Sequence, residues 1–321
     1  MAKGRNSVAI MATSSPDCRA TSKANPFSLA ATWARFLRAK KIKPVIKDGT
    51  IYSDGSTILG ADDKAGIAAI LEAIQVIQEE NIAHGEVELV FSFMEEKGLN
   101  DAKSLDYGLV KSKVAYTLDE GAVGRIVMQG PAQDKMDVKV LGKAAHAGVA
   151  PEEGISVILV AAKALSQMKL LRVDADMTAN FGSIHGGGET NIVPSELVLK
   201  GEARSLVNEN LTAQTQHMID CFEQAANEFG AQVEIQHERM YPAFKVEAGD
   251  EIVLKAQNAL RAISIDSIVA KTGGGSDTNI YNSKGLKAVT LGSGKMKAHT
   301  LEEHVHHLYF ESSNQRSRFF L

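Results

Sequence analysis

Histidine is missing from the first quarter of this sequence, cysteine is nearly missing throughout, and no long apolar run occurs. Two cysteines in 321 residues, Cys18 and Cys221, are far apart and exclude a disulfide-stapled secreted scaffold. No apolar stretch approaches the ~18 residues a membrane span requires, which excludes an integral helical membrane protein. The 35 basic and 39 acidic residues leave a net charge of −4, without the basic excess of a nucleic-acid binder. What remains, at 44% hydrophobic and 23% charged, is a globular chain of about two domains.

The charge is unevenly distributed. Residues 1–41 hold eight Lys and Arg against one acid, Asp17, whereas the rest holds 27 basic against 38 acidic residues. This basic head is Ser-, Thr- and Ala-rich and shows no early strand signal. Its end, Phe27 to Lys41, has the spacing of a basic amphipathic helix with Leu29, Trp33, Phe36 and Leu37 on one side. An Arg- and Ser-rich, acid-poor start is also the transit-peptide pattern, and a solvated tail is the plainer alternative.

From Ile42 the pattern is regular. Thr50–Asp54 predicts a short strand, and Gly60 to Gly66 opens a helix whose Ile67, Ile70, Leu71, Ile74 and Ile77 keep helical spacing. Val87–Met94 and Val114–Leu118 predict buried strands that end at Glu95-Glu96 and Asp119-Glu120. Between about Gly130 and Met240 the expected order is strand (Met136–Leu141), helix (Ile155–Met168), strand (Ala179–His185), strand (Leu197–Leu206), helix (Leu211–Phe229) and strand (Gln232–His237). That β-α-β-β-α-β order is the split βαβ of a ferredoxin-like domain. A helix at Glu251–Ile263 and strands near Ile268 and at Ala288–Leu291 then resume an α/β alternation. The expected division is a head at 1–41, a catalytic α/β domain at 42–129 and 242–321, and an inserted domain at 130–241.

Carboxylates stand at the edges of these elements: Asp62, Glu95, Glu96 and Asp119, with His299 far downstream. One such acid is usually a helix cap or turn residue. Several at the ligand-binding edge of an open sheet, joined by an imidazole, form a donor set suited to zinc or another first-row divalent ion. The adjacent Glu95 and Glu96 can divide the work, one handling protons and one holding metal.

At these positions the sequence resembles the co-catalytic zinc exopeptidases, a family that includes peptidase T, aminoacylases and glutamate carboxypeptidase. The resemblance is carried by GADDKAG at 60–66, MEEKG at 94–98, TLDEG at 117–121, GKAAHAG at 142–148, GGGETNIVP at 186–194, GGGSDTN at 273–279 and KAHTLEE at 297–303. It covers about residues 42–304, and the peptidase T-like branch fits best. It implies a zinc-exopeptidase-like catalytic domain with an inserted lid and dimerisation domain, a cytoplasmic homodimer formed through residues 130–241, and two zinc ions per site. The implied substrate is a short peptide losing its N-terminal residue, with an acylated amino acid or a C-terminal glutamate as family alternatives.

Carried over residue by residue, the resemblance implies that Asp62 bridges the two zinc ions while Lys64 helps hold the turn. Glu95 is the implied general base that takes a proton from the attacking water. Glu96 and His299 are implied ligands of one zinc, and Asp119 of the other. His146 resembles a histidine that stabilises the tetrahedral oxyanion in a partner subunit's site. Asn191 and Arg204 resemble a substrate-binding pair, with Arg204 suited to a free peptide carboxylate. Gly274 and Ser276 fall in a glycine-rich turn expected to approach substrate.

The sequence departs from the family at the start. The first metal ligand of the family is a histidine in a His-x-Asp motif upstream of Ile42, and the earliest histidine here is His84. The tract at about Ala31–Trp33 offers no ligand, so one metal position keeps only Asp62 and Asp119. The expectation is weak or absent turnover and one tightly held metal, with residues 1–41 arising from a shifted or decayed reading frame. A decayed, non-catalytic homologue that dimerises through its insert is the rival reading. Two further signals are set aside. Gly292-Ser293-Gly294-Lys295 is not a phosphate loop, because Met296 stands where Ser or Thr is required. His304, His306 and His307 are read as part of a solvated tail before a second metal site.

Overall fold

A computed structural model describes residues 10–13, 27–32, 41–92 and 95–306. The chain divides into two compact units: one built from the chain up to Gly130 and from Phe244 onward, the other Pro131–Ala243.

In chain order the first unit begins with β1 (Ile10–Thr13), β2 (Phe27–Thr32), β3 (Pro44–Lys47), β4 (Thr50–Ser53), α1 (Ala61–Glu79), β5 (Val87–Ser92), α2 (Asn100–Ser104), β6 (Val114–Glu120) and β7 (Arg125–Gly130). The second unit holds β8 (Ala132–Leu141), α3 (Val157–Gln167), β9 (Leu171–Asp174), β10 (Met177–Gly186), β11 (Glu196–Ser205), α4 (Asn208–Phe229) and β12 (Gln232–Tyr241). The first unit then resumes with β13 (Phe244–Lys245), α5 (Glu251–Ala262), β14 (Ile268–Lys271), α6 (Asp277–Ser283), β15 (Lys287–Gly292), β16 (Lys295–Met296) and β17 (His304–His306).

The main sheet of the first unit runs β1-β5-β2-β6-β15-β7-β13, with β14 also on β7. Its centre is parallel: β2 pairs with both β5 and β6, and β6 pairs with β15. Strands buried on both faces lose the two-residue alternation, and Val87, Leu89 and Val90 of β5 are all buried. Ile70 of α1 packs with Val87, Leu89 and Leu118, while Ile252 and Val253 of α5 pack with Ile126, Val127 and Val289. A second sheet in this unit runs β16-β17-β4-β3.

Here the reading of the head is corrected. Phe27–Thr32 is a central parallel strand, not the start of an amphipathic helix, and Ile10–Thr13 pairs antiparallel with β5. The segment FSLAAT holds small residues and no β-branched run before its final Thr, so local propensity gave no strand signal; two long neighbouring strands impose the conformation. The remainder of the expected helix, residues 33–40, lies outside the described residues. The tail is corrected as well: His304 and His306 form β17 on β4, with Thr50 Oγ1 and His306 Nδ1 3.0 Å apart. His307 lies outside the described residues.

The second unit is the split βαβ expected from the sequence, with one added strand, β9. Its sheet order, β12-β8-β11-β10-β9, is antiparallel throughout. Along β8, Met136, Val138 and Val140 are buried while Lys135 and Asp137 are exposed, so one face meets the helices. Phe222 of α4 meets Phe181 of β10 edge to face, with centroids 5.5 Å apart, within a core that includes Leu199, Leu211 and Met218.

Candidate metal and catalytic site

The parallel pairing of β2 with β5 and β6 brings three strand ends side by side. β5 leads into a 3-10 turn at Glu95–Lys97, and β6 carries Asp119 next to its last residue. Below Asp119, the hydroxyl of Thr117 meets those of Thr278 at 2.6 Å and Thr290 at 2.9 Å, tying β6 to α6 and β15. The tract from which the family histidine is missing includes the end of β2, where Ala31 pairs with Leu118 and Thr32 with Ser92. The end of β2 thus lies beside the strand that carries Asp119. Trp33 lies outside the described residues.

Asp62 enters the site from a broken helix start. Gly60 caps α1 with φ 73°, and Asp62 and Asp63 are non-helical, so the two acids precede the regular helix rather than occupy its first turn. Lys64 Nζ donates to the Gly60 carbonyl at 2.9 Å, which holds this turn. Glu303, 1% exposed, accepts the Gly60 N–H at 2.6 Å and the Asp62 N–H at 2.9 Å. Asp63 turns away and accepts from Ser293 Oγ at 2.8 Å; burial pushes its carboxyl well above the ordinary range.

His299 Nε2 lies 3.0 Å from Asp62 Oδ2 and 3.2 Å from Glu96 Oε1. One donor atom from each of Asp62, Glu96 and His299 falls within 4.8 Å of the others, the one such group among the described residues. Two carboxylates and an imidazole suit zinc or a similar divalent ion, so these residues fit one metal. Glu95 stands next to Glu96, its pKa pushed up to about 10 by burial and then by the charges of Asp119, Asp277, Glu96 and Asp62.

The second metal position does not fit. Lys295 Nζ is ion-paired with Asp62 Oδ1 and lies 2.6 Å from Asp119 Oδ1. Burial works against the ammonium, but Asp119, Asp63 and Asp62 together raise the Lys295 pKa above its ordinary value. Burial also raises the Asp119 carboxyl, with Lys295 opposing.

The remaining expected residues divide between the units. His146 and Asn191 sit on neighbouring segments of the second unit, where His146 bridges Ile192 and the Ala147 N–H donates to the Asn191 carbonyl at 2.9 Å. His146 is exposed, and its Nδ1 accepts the Gly148 N–H at 3.2 Å. Arg204 on β11 forks onto Glu202, with Nε to Oε1 at 2.9 Å and the second nitrogen to Oε2 at 3.3 Å. It is thus already paired with a carboxylate. In the first unit, the Gly274 N–H donates to Thr272 Oγ1 at 3.2 Å, and Ser276 caps α6, with its N–H donating to Asn279 Oδ1 at 3.0 Å.

Sequence reasoning passed over two residues of this centre. Glu303 stands in the KAHTLEE motif at 297–303 and Lys295 in the GSGK segment, and neither has a role implied by spacing. Gly292 runs so close to the β6–β7 turn that a Cβ would overlap the Ala122 carbonyl, and the Ser293 and Gly294 N–H groups donate to Glu120 and Gly121 at 2.8 Å each.

Residues 133–229 match the model of a peptidase dimerisation domain, M20_dimer, and residues 46–166 match that of an M42 glutamyl aminopeptidase. The uncharacterized protein YqjE of Bacillus subtilis is 46% identical over 263 residues, 82% of this chain and 71% of its own length. The crystal structure of aminopeptidase PepT from Bacillus cereus superposes with a TM-score of 0.87 at 41% identity, over 94% of this chain and 81% of that one. A tripeptidase from Staphylococcus aureus gives 0.90 at 42%, over 94% and 80%. The chain belongs to the peptidase T-like branch of the M20 peptidases. Its second unit is that family's dimerisation domain, and its first is the peptidase catalytic domain.

Proposed function

We propose that this M20 member is a zinc-dependent aminotripeptidase of low turnover, releasing the N-terminal residue of short peptides. The observation that carries the reading is the convergence of Asp62, Glu96 and His299 beside the half-buried Glu95. The names of the B. cereus and S. aureus relatives support the peptide substrate.

When bound at Asp62, Glu96 and His299, a zinc ion supplies a Lewis acid that lowers the pKa of water and offsets the crowded carboxylate charge. Glu95 takes a proton from the attacking water and returns it to the leaving amine. Burial and the neighbouring carboxylates raise the Glu95 carboxyl, which suits it to hold a proton between those two transfers. Glu303 and Lys64 keep the Asp62 turn in place through the backbone of Gly60 and Asp62. With Nδ1 accepting from Gly148, His146 presents Nε2–H as a hydrogen-bond donor to a developing oxyanion in a partner subunit's site. Arg204 recognises a free peptide carboxylate by exchanging it for, or sharing it with, Glu202, while Asn191, Gly274 and Ser276 offer hydrogen bonds to the peptide. A homodimer through residues 130–241 and a cytoplasmic setting belong to the same proposal. Low turnover follows from the incomplete second metal position.

The test is hydrolysis of an unblocked tripeptide, an acetylated amino acid and a peptide ending in glutamate, using chelator-stripped and zinc-reloaded protein. The expected result is slow, zinc-restored release of the N-terminal residue from the tripeptide, reduced about 10²–10⁴-fold in Glu95→Gln. Preference for either other substrate, or an unaffected Glu95→Gln, contradicts the proposal.

A further inference from the structure

The two oxygens of Asp62 serve different neighbours. Oδ2 faces His299, which also meets Glu96, whereas Oδ1 accepts from Lys295. The same ammonium reaches Asp119 Oδ1 at 2.6 Å, so Lys295 joins the two carboxylates assigned by resemblance to the second metal position. Its side chain is 7% exposed, against 8% for Asp62 and 17% for Asp119, which places the contact away from bulk solvent. A buried ammonium persists only where anions surround it, and breaking such a pair by removing one partner is strongly unfavourable.

The backbone holds this lysine in place. Lys295 pairs with Val305 and Met296 with His304 across β16 and β17, and the preceding Ser293 and Gly294 are bonded to the end of β6. Asp62 is fixed from the other side by Glu303. A divalent ion bridging Asp62 and Asp119 would compete with the Lys295 ammonium for the Oδ1 atoms that face it. A separate observation from the sequence agrees: the histidine that would complete the second position is missing before His84.

We infer that the Lys295 ammonium stands in for the second metal ion, bridging Asp62 and Asp119, so that the chain binds a single divalent cation at Asp62, Glu96 and His299. Lys295 supplies a fixed positive charge to the carboxylate cluster where a dinuclear site has a second ion. For its one remaining cation the inference rests on the metallopeptidase reading.

Zinc per chain, measured by elemental analysis of the full chain across a series of buffered free-zinc concentrations, tests it. Wild type and Lys295→Arg are expected to saturate at one zinc, and Lys295→Met to take a second at free zinc at least tenfold lower than any second uptake in wild type. Mass-spectrometric labelling of lysines in the wild type adds a readout that needs no variant: Lys295 is expected to stay protected with and without zinc. Two zinc ions in wild type, a folded Lys295→Met that stops at one, or Lys295 becoming reactive on zinc loading overturns the inference. By contrast, no zinc in wild type, or a first zinc that survives in His299→Ala, defeats the metallopeptidase reading and leaves the Lys295 ion pairs standing.

Discussion

Glu303 shows how much of this site is held by residues that touch no substrate. Two backbone donors, at Gly60 and Asp62, end on its buried carboxylate. Glu303→Ala would leave both donors unpaired, so a loss of about 1.5–3 kcal/mol in denaturant unfolding is expected. Zinc affinity is expected to fall about 10–100-fold, the usual effect of removing the support behind a ligand. Glu88 does similar work under the sheet. It accepts the N–H groups of Lys111 at 3.0 Å and Ser112 at 2.8 Å together with the Ser112 hydroxyl. Burial alone would raise its carboxyl, yet these bonds hold it below its ordinary 4.5. A carboxylate depressed on folding contributes stability above its unfolded pKa and loses it as pH falls through the folded value. Glu88→Gln should therefore be less stable than wild type at pH 7, by about 1.5–3 kcal/mol, with the gap closing progressively below pH ~4.5. Asp62, Glu95, Glu96, Asp119 and His299 stand out in the sequence as candidates because each lies in a motif, and three of them, Asp62, Glu96 and His299, converge in the structure. Lys295 and Glu303 do not stand out, because their roles depend on partners more than 170 residues away, contacts that no local spacing encodes.

Among the elements, α1, α3, α4, α5 and the strands around them follow from periodicity, since their apolar faces repeat at helical or alternating intervals. β2 does not. Its six residues lack a β-branched run, and its conformation comes from β5 and β6 on either side, so a strand signal exists only once those neighbours are known. α6 was equally hidden: seven residues opened by a Ser276–Asn279 capping interaction are too short to show a period. The β15–β16 turn tests how closely one element positions the site. Gly292→Ala would push the chain off the Ala122 carbonyl and displace Ser293 to Lys295, whereas a methyl group added at Gly188 would meet no atom within 4 Å. Gly292→Ala is expected to lose at least about 1–3 kcal/mol, the range for overpacking, and to weaken zinc binding; Gly188→Ala should do neither. Thermal unfolding and zinc titration of the pair check this.

At the scale of the whole molecule, the division into a catalytic unit and an inserted split βαβ unit was readable from element order alone. The participation of the basic head in the main sheet was not, because composition and charge describe solubility more than fold. The dimerisation domain carries Ile158 and Leu159 on α3 at 49% and 57% exposure, opposite a buried face of Val157, Val160, Ala161 and Ala164. These adjacent exposed apolar side chains are the residues of α3 available for association. The chain is expected to sediment as a dimer, and Ile158→Asp with Leu159→Asp to shift it to monomer with an unchanged circular dichroism spectrum. In the proposed function, one divalent cation held by Asp62, Glu96 and His299 supports peptide hydrolysis with Glu95 as the base. The most direct measurement follows the rate of N-terminal residue release from a tripeptide as zinc is returned to the stripped protein, with bound zinc counted in the same samples. The expected rate rises with bound zinc, levels off at one per chain, and is lost in His299→Ala. A full rate in the stripped protein, or an undiminished rate in His299→Ala, would contradict it.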